Sequence, residues 1–266
     1  MESKLNFVVK VILKKIRLWD AIMYSNLYQK YKYPKKFKKQ KEEEKFYKFF
    51  LKSHPAKNDL IFDVGANIGS KSKIFSKLAK NIIAFEPSPK LFSFLQTKFR
   101  NTNVKVYNYA LGTNVSKSFL YIVEENEAYN SLKKKHIITT VSSRGIATLD
   151  SVKKEKIKIE KLENFITKFG IPKYIKIDVE GYEYEVLKGM ETVVPLLSFE
   201  VNLPEFLNES LKAIAYLQNI SSNKYLFNFS SSTNSFLENE FLSAEKAKFF
   251  LQKTDLSYLE IYAYLS

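Results

Sequence analysis

The sequence predicts an α/β fold: a seven-stranded, mostly parallel sheet with helices on both faces, preceded by a helical extension over residues 1–45. Three observations carry this. From residue 46 onward, short apolar runs alternate with amphipathic segments, the pattern of strands and helices wound around one parallel sheet. The first of those runs, Leu60-Ile61-Phe62-Asp63-Val64, leads directly into a glycine-bearing turn and then a helical segment. The last two runs, 225–229 and 259–264, flank one helical segment and close the sheet as a hairpin-like pair.

Residues 3–32 read as one or two amphipathic helices. Lys4, Lys10, Lys14 and Arg17 fall near one face, and Phe7, Val8, Val11, Ile12, Ile16 and Trp19 mainly on the other. Such a helix either packs on its own domain or a sister subunit, which would make a homodimer, or lies along a membrane surface. Residues 33–41 read as a Lys-rich solvated link, and 42–52 as a helix. In the main domain, 46–266, the strands are 60–64, 82–85, 104–107, 174–179, 196–201, 225–229 and 259–264. Helices are expected at 68–79, 89–99, 160–169, 182–188, 207–218 and 244–252. Gly170 and Pro172 end one of them and Gly189 another. A further strand over 119–123 lies beside the main sheet, and the polar stretch 126–143 is a loop on the substrate side.

Composition narrows the chemistry. There is no cysteine, which removes disulfides, thiolate zinc sites and cysteine nucleophiles. His54 and His136 are the two histidines, too few for a multi-histidine metal site. The formal charge is +15, and residues 1–45 hold 13 Lys/Arg against 5 Asp/Glu, so about half of the excess sits in the first sixth of the chain. That invites an anionic partner, whether substrate, lipid or nucleic acid. Lys10, Lys14, Lys15 and Arg17 break the N-terminal apolar run, so neither a signal peptide nor a membrane span is expected, and the protein is placed in the cytoplasm or on the inner face of the membrane. The abundance of Lys, Asn, Ile and Phe reads as the mark of an AT-rich bacterial genome.

The turn after the first strand, Gly65-Ala66-Asn67-Ile68-Gly69, separates two cofactor classes. A dinucleotide loop needs a second glycine, where Asn67 stands, to admit a pyrophosphate. A side chain there tolerates a cofactor without phosphate, and Asp63 suits an ammonium group while repelling phosphate. S-adenosylmethionine has that chemistry. Gly65 permits the tight turn and close approach of a ligand, and Gly69 the packing of helix on strand. Glu86, at the end of the second strand and 23 positions after Asp63, is placed to accept hydrogen bonds from ribose hydroxyls, the alternative being a cap on the following helix.

With these residues in view, the chain resembles the FkbM family of methyltransferases. The match rests on Phe62-Asp63-Val64-Gly65-Ala66-Asn67-Ile68-Gly69, on Ala84-Phe85-Glu86-Pro87-Ser88-Pro89, on Ala110-Leu111-Gly112, and above all on Ile175-Lys176-Ile177-Asp178-Val179-Glu180-Gly181-Tyr182-Glu183. It covers roughly residues 45–203. The resemblance implies a Rossmann-like class I methyltransferase fold. It also implies O-methylation of hydroxyls on sugars, glycans or polyketides with S-adenosylmethionine, here in a setting such as bacterial capsule polysaccharide. By position it implies Asp63, Gly65, Asn67 and Glu86 as cofactor contacts, Asn108 or Ala110 near the adenine, and Asp178 near the methionine end or the transferred methyl.

Methyl transfer to a hydroxyl needs alignment, exclusion of water and a base. Asp178 and Glu180 follow one central strand, Glu200 and Asn202 end its neighbour, and His136 sits on the loop, where it is either a base or an ordinary surface histidine. Asp178, Glu200 and Asn202 could together hold Mg²⁺, a hard ion that takes oxygen ligands. Lys133, Lys134 and Lys135 either attract the pyrophosphate of a nucleotide-linked sugar or form a solvated run. A nucleic-acid substrate is disfavoured because Asp178 and Glu180 would repel a phosphate backbone. A methyltransferase on another acceptor, and a non-catalytic membrane-associated Rossmann module, remain the rival readings.

Overall fold

In the computed structural model of the chain, residues 26–54, 58–123, 130–133, 137, 152–222, 224–231 and 235–266 are described. The chain divides into two units, residues 1–49 and 50–266. In the first unit, α1 (Asn26–Lys32) is followed by α2 (Pro34–Ser53), whose last turn belongs to the second. Residues 33–41 are therefore not a link. Proline pre-sets the backbone at a first helical position, Lys is a good helix former, and Lys38–Glu42 and Lys41–Glu44 pair along the helix. The amphipathic stretch expected before α1 lies outside the described residues. Among the described residues no helix is long and apolar enough to cross a membrane.

The second unit is built on a seven-stranded sheet. β1 (Leu60–Val64) lies between β2 (Asn81–Phe85) and β7 (Tyr174–Ile177), parallel to both. β3 (Val104–Tyr107) flanks β2, and β8 (Leu196–Asn202) flanks β7, again in parallel. β10 (Tyr258–Leu265) runs antiparallel between β8 and β9 (Tyr225–Ser230), so the expected closing pair is present. Every residue of β1 and β7 is buried, as a near-continuous apolar strand inside a parallel sheet must be.

Cross-strand partners share a face, so the register sorts the two sides of the sheet. One side carries Phe62, Phe85, Ile175, Leu197, Phe199 and Ile261, and α5 (Leu162–Phe169), α6 (Glu183–Lys188), α7 (Leu207–Ile220) and α8 (Ala244–Lys253) pack their apolar stripes against it. The other side carries Tyr174, which meets Phe75 of α3 (Ser70–Phe75) and Phe50 edge-on. The connection between β2 and β3 is α4 (Pro89–Lys98), opened by Ser88, whose hydroxyl accepts from the Leu91 N–H, with proline at the first position.

A second sheet of three strands has the order β4 (Ala110–Leu111), β6 (Val152–Glu160), β5 (Ser116–Val123). The strand expected over 119–123 is part of β5. β6 is absent from the expected elements. Its charge disguised it, although its period of two is plain: Ile157 and Ile159 are buried while Lys154, Lys156 and Lys158 are exposed.

Candidate active site

Strand order reverses between β1 and β7, so the loops leaving their carboxyl ends diverge and open a crevice. The cleft there has about 870 Å³ of open space, continuous with solvent. Gly65, Asn67, Glu86 and Pro87 line one side, and Asp178, Val179, Glu180 and Glu200 the other. Tyr109, Ala110 and Leu111 come from β4 and its approach, and Leu120, Asn130, Ser131 and Leu132 from β5 and the segment after it.

The two loops are locked together at Gly65. Its φ is +85°, and a Cβ there would stand 1.8 Å from the Asp178 carbonyl oxygen. The close approach that requires glycine is thus made by the chain's own backbone, where the sequence pointed to a ligand. The Asp178 N–H donates to the Val64 carbonyl at 2.9 Å, which sets that approach.

Glu86 joins the cofactor-side turns. One carboxylate oxygen accepts the Asn67 N–H at 2.8 Å and the other the Ser88 N–H at 2.9 Å. These two bonds fix the Glu86 carboxylate at the rim of the cleft, which it lines. Asn108 does not line the cleft. Its amide donates to the carbonyls of Glu86 and Pro87, both at 2.9 Å, and so braces the turn that carries Glu86. Gly69 is also behind the cleft, at the start of α3, where a Cβ would meet Leu95 and Phe99.

Asp63 departs most from expectation. Its side chain does not reach the cleft; it is 1% exposed and accepts a hydrogen bond from Ser72 on α3. The register puts it opposite Lys176 on the α3 side of the sheet, away from the loop that follows it. Burial raises its carboxyl to about 6, against the lowering pull of Ser72 and the Lys176 ammonium.

That side of the sheet holds a buried charged network. Lys176 has a side chain only 3% exposed, donates to Asp178 Oδ2 at 2.8 Å and lies 3.9 Å from Glu260. Glu260 accepts from Ser198 at 2.7 Å, and the Tyr174 hydroxyl meets Ser198 at 2.5 Å. Burial works against the Lys176 ammonium, but Asp178 and Glu260 hold it charged. Burial likewise works to raise Asp178. Lys176 and hydrogen bonds from Glu200 and Lys176 nevertheless bring its carboxyl below the usual range. Glu200 goes the other way: burial, then the charges of Asp178 and Glu180, push it well above that range. Burial and the neighbouring charges thus favour the proton on Glu200 over Asp178, and the two carboxyls titrate as one coupled pair.

The turn that presents Asp178 and Glu180 is held by Glu183, one residue into α6. Its Oε1 accepts the N–H groups of Val179 and Gly181, both at 3.1 Å, and burial raises its carboxyl to about 7. Glu180 has φ +52°, a left-handed backbone in a residue that rarely adopts it, and its carbonyl accepts the Ser131 hydroxyl at 2.7 Å. That bond docks part of the expected substrate loop onto the acidic turn. His136, Lys134 and Lys135 lie outside the described residues. Lys133 pairs with Glu209 at 3.3 Å and sits over the Phe206 ring, so it is engaged within the chain.

The donor set expected for Mg²⁺ also changes. The Asn202 amide nitrogen donates to Glu200 at 2.9 Å, and Glu180 is the third acid: oxygens of Asp178, Glu180 and Glu200 lie within 4.8 Å of one another. The Lys176 ammonium on Asp178 weakens this cluster as a cation site, and the upward push on Glu200 acts in the same direction.

The model of the methyltransferase FkbM domain matches residues 63–239. The chain belongs to the FkbM methyltransferase family. A relative, the hexuronic acid methyltransferase AglP of Haloferax volcanii, is 31% identical over 144 residues, which are 54% of this chain and 55% of that protein. The chain thus spans about half the length of the curated relative it matches. Among solved structures, methyltransferase FkbM from Methylobacillus flagellatus KT is similar at 16% identity and TM-score 0.47, over 78% of this chain and 44% of that one. Precorrin-6y C5,15-methyltransferase from Geobacter metallireducens GS-15 is similar at 13% identity and TM-score 0.41, over 81% and 85% of the two chains.

Tyr109, Leu120 and Ser131 were not singled out from the FkbM sequence, because they reach the cleft only through the small sheet. Lys176 did leave a signal: a lone cation inside an apolar run must be paired if that run is buried.

Proposed function

We propose that the protein is an S-adenosylmethionine-dependent O-methyltransferase acting on a sugar hydroxyl, with a hexuronic acid or its nucleotide-activated or glycan-linked form as acceptor. One observation carries this reading. In a chain of formal charge +15, the crevice at the switch point is lined by Glu86, Asp178, Glu180 and Glu200. Glu86 and Asp178, placed beside the cofactor, disfavour a dinucleotide's pyrophosphate at that position and suit a ligand with sulfonium and ammonium groups there. The H. volcanii relative's name supports the sugar class.

Bound S-adenosylmethionine supplies an electrophilic methyl group. The Glu86 carboxylate, which lines the cleft, accepts hydrogen bonds from the ribose hydroxyls. Pro87, Leu91, Tyr109 and Leu111 give apolar surface for the adenine. Asp178, oriented by Lys176, would accept a hydrogen bond from the acceptor hydroxyl and take its proton as the methyl passes to oxygen, the C–S bond breaking and S-adenosylhomocysteine leaving as the neutral thioether. A weak base suffices, since a protonated ether is a strong acid. The Lys176 ammonium supplies the positive charge that a metal would otherwise bring, so turnover proceeds without Mg²⁺. In this reading the acceptor belongs to surface polysaccharide, such as capsule, and is methylated at the inner face of the membrane.

The test is calorimetric titration with S-adenosylhomocysteine, followed by mass-detected transfer of labelled methyl to a panel of uronic acids and nucleotide-activated sugars. Expected are saturable binding, weakened about tenfold or more in Glu86→Ala, and a methyl ether on a uronate that survives EDTA. Absence of S-adenosylhomocysteine binding would overturn the reading.

A further inference from the structure

The small sheet has two unlike faces. Inward, Leu120, Ile157 and Ile159 are buried with Ala110, and Leu120 lines the cleft. Outward, the register sets Lys117 opposite Lys158, Phe119 opposite Lys156 and Tyr121 opposite Lys154. Those four lysines are exposed, Phe119 is 45% exposed, and the Lys154 ammonium lies 5.7 Å from the centre of the Tyr121 ring. Among the described residues Lys117, Lys156 and Lys158 form no ion pair.

This arrangement does not favour the fold. Like charges directly opposed across strands destabilise a sheet, and Lys has poor strand propensity. Lysines on an edge strand guard against unwanted pairing, and β4 pairs with β6 only at Ile159 and Glu160, so Lys154, Lys156 and Lys158 can serve that end. Edge protection does not account for Lys117 set opposite Lys158, nor for the exposed Phe119 set opposite Lys156. The spacing of Lys154, Lys156 and Lys158 is about 7 Å along the strand, a row of single cations beside two aromatic side chains. Carboxylates repeated along a sugar chain carry the charge opposite to such a row, and aromatic rings pack against the C–H faces of pyranoses.

We infer that the outer face of the small sheet binds an acidic glycan chain, lysines on uronate carboxylates and Phe119 and Tyr121 against sugar rings. It thereby holds the polymer one sheet's thickness from the cleft. The inference rests on the sugar reading above for the choice of polymer.

The full chain is titrated with a labelled oligogalacturonide at low and physiological salt, with neutral dextran, single-stranded RNA and phosphatidylglycerol vesicles as competitors. Wild type binds the oligogalacturonide in a salt-dependent manner. K117A/K156A/K158A weakens binding about tenfold or more and flattens the salt dependence. F119A weakens binding by a smaller factor and leaves the salt dependence intact. S-adenosylhomocysteine affinity is unchanged in both variants. Equal binding by wild type and the triple variant, or displacement by RNA or vesicles at lower concentration than by unlabelled oligogalacturonide, overturns the inference. Lysine-dependent binding without methylation of any uronate would sink the sugar reading alone, and uronate methylation without lysine-dependent binding would sink the docking face alone.

Discussion

The acidic floor of the cleft and the basic outer face of the small sheet differ in how their charges are held. In the cleft, Asp178 is paired with Lys176, Glu86 accepts two backbone N–H groups, and Glu183 accepts the N–H groups of Val179 and Gly181. On the outer face, Lys117, Lys156 and Lys158 make no ion pair among the described residues. Charge that the fold satisfies internally is fixed in position and protonation state, as catalysis needs. Charge left to solvent is adaptable, as the binding of a polymer needs. Substitutions on the floor should therefore alter stability and chemistry together, and substitutions on the outer face neither.

The strongest break comes at the seam of the floor. Gly65→Ala forces a Cβ into the Asp178 carbonyl in a turn of positive φ, so the loss of stability should exceed about 3 kcal/mol; a thermal melt checks it, and a near wild-type melt would mean that the two loops are not in contact. Next, Asp178→Asn should lower turnover by about 10²- to 10⁴-fold, the usual worth of a positioned base, while S-adenosylhomocysteine binding changes little. Equal loss of both would make Asp178 a cofactor ligand rather than the base.

Glu183 gives a smaller, pH-dependent effect. Its carboxyl sits at about 7 in the folded chain against an ordinary value of 4.5. The stability it contributes is complete below 4.5 and is lost as pH rises through about 7. Glu183→Gln cannot ionise and keeps an acceptor oxygen, so its melting temperature should fall less than that of wild type across this window. Parallel curves would show that burial does not shift Glu183. Smallest of all, Lys117→Ala, Lys156→Ala and Lys158→Ala should each change stability by less than about 0.5 kcal/mol, read by denaturant titration. A gain beyond that would show that the opposed lysines strain the sheet.

The main sheet was legible because each of its strands is a short apolar run bounded by turn residues. Elements were lost where charge masked the period. Residues 33–41 read as a link because of their lysines, and β6 went unseen although Ile157 and Ile159 alternate with lysines. Of the site, Gly65, Asn67, Glu86, Ala110, Asp178 and Glu200 were recognised and line the cleft. Asp63, Gly69 and Asn108 were recognised but stand behind it, as supports for the turns that carry the others. Sequence motifs rank residues by their place in the chain, and that does not separate a side chain that faces a ligand from one that holds the ligand's neighbour.

The order of apolar runs, the glycine turn and the acids at strand ends determined the fold class and the family, because backbone periodicity and turn chemistry are local properties. Tertiary structure alone decided how the two acids of the cleft differ. Asp178 and Glu200 are 22 positions apart in sequence, and each ordinarily loses its proton at neutral pH. Their opposite shifts come from a buried lysine beside one and from burial around the other. A field of that kind exists only once β7, β8 and β10 are laid side by side.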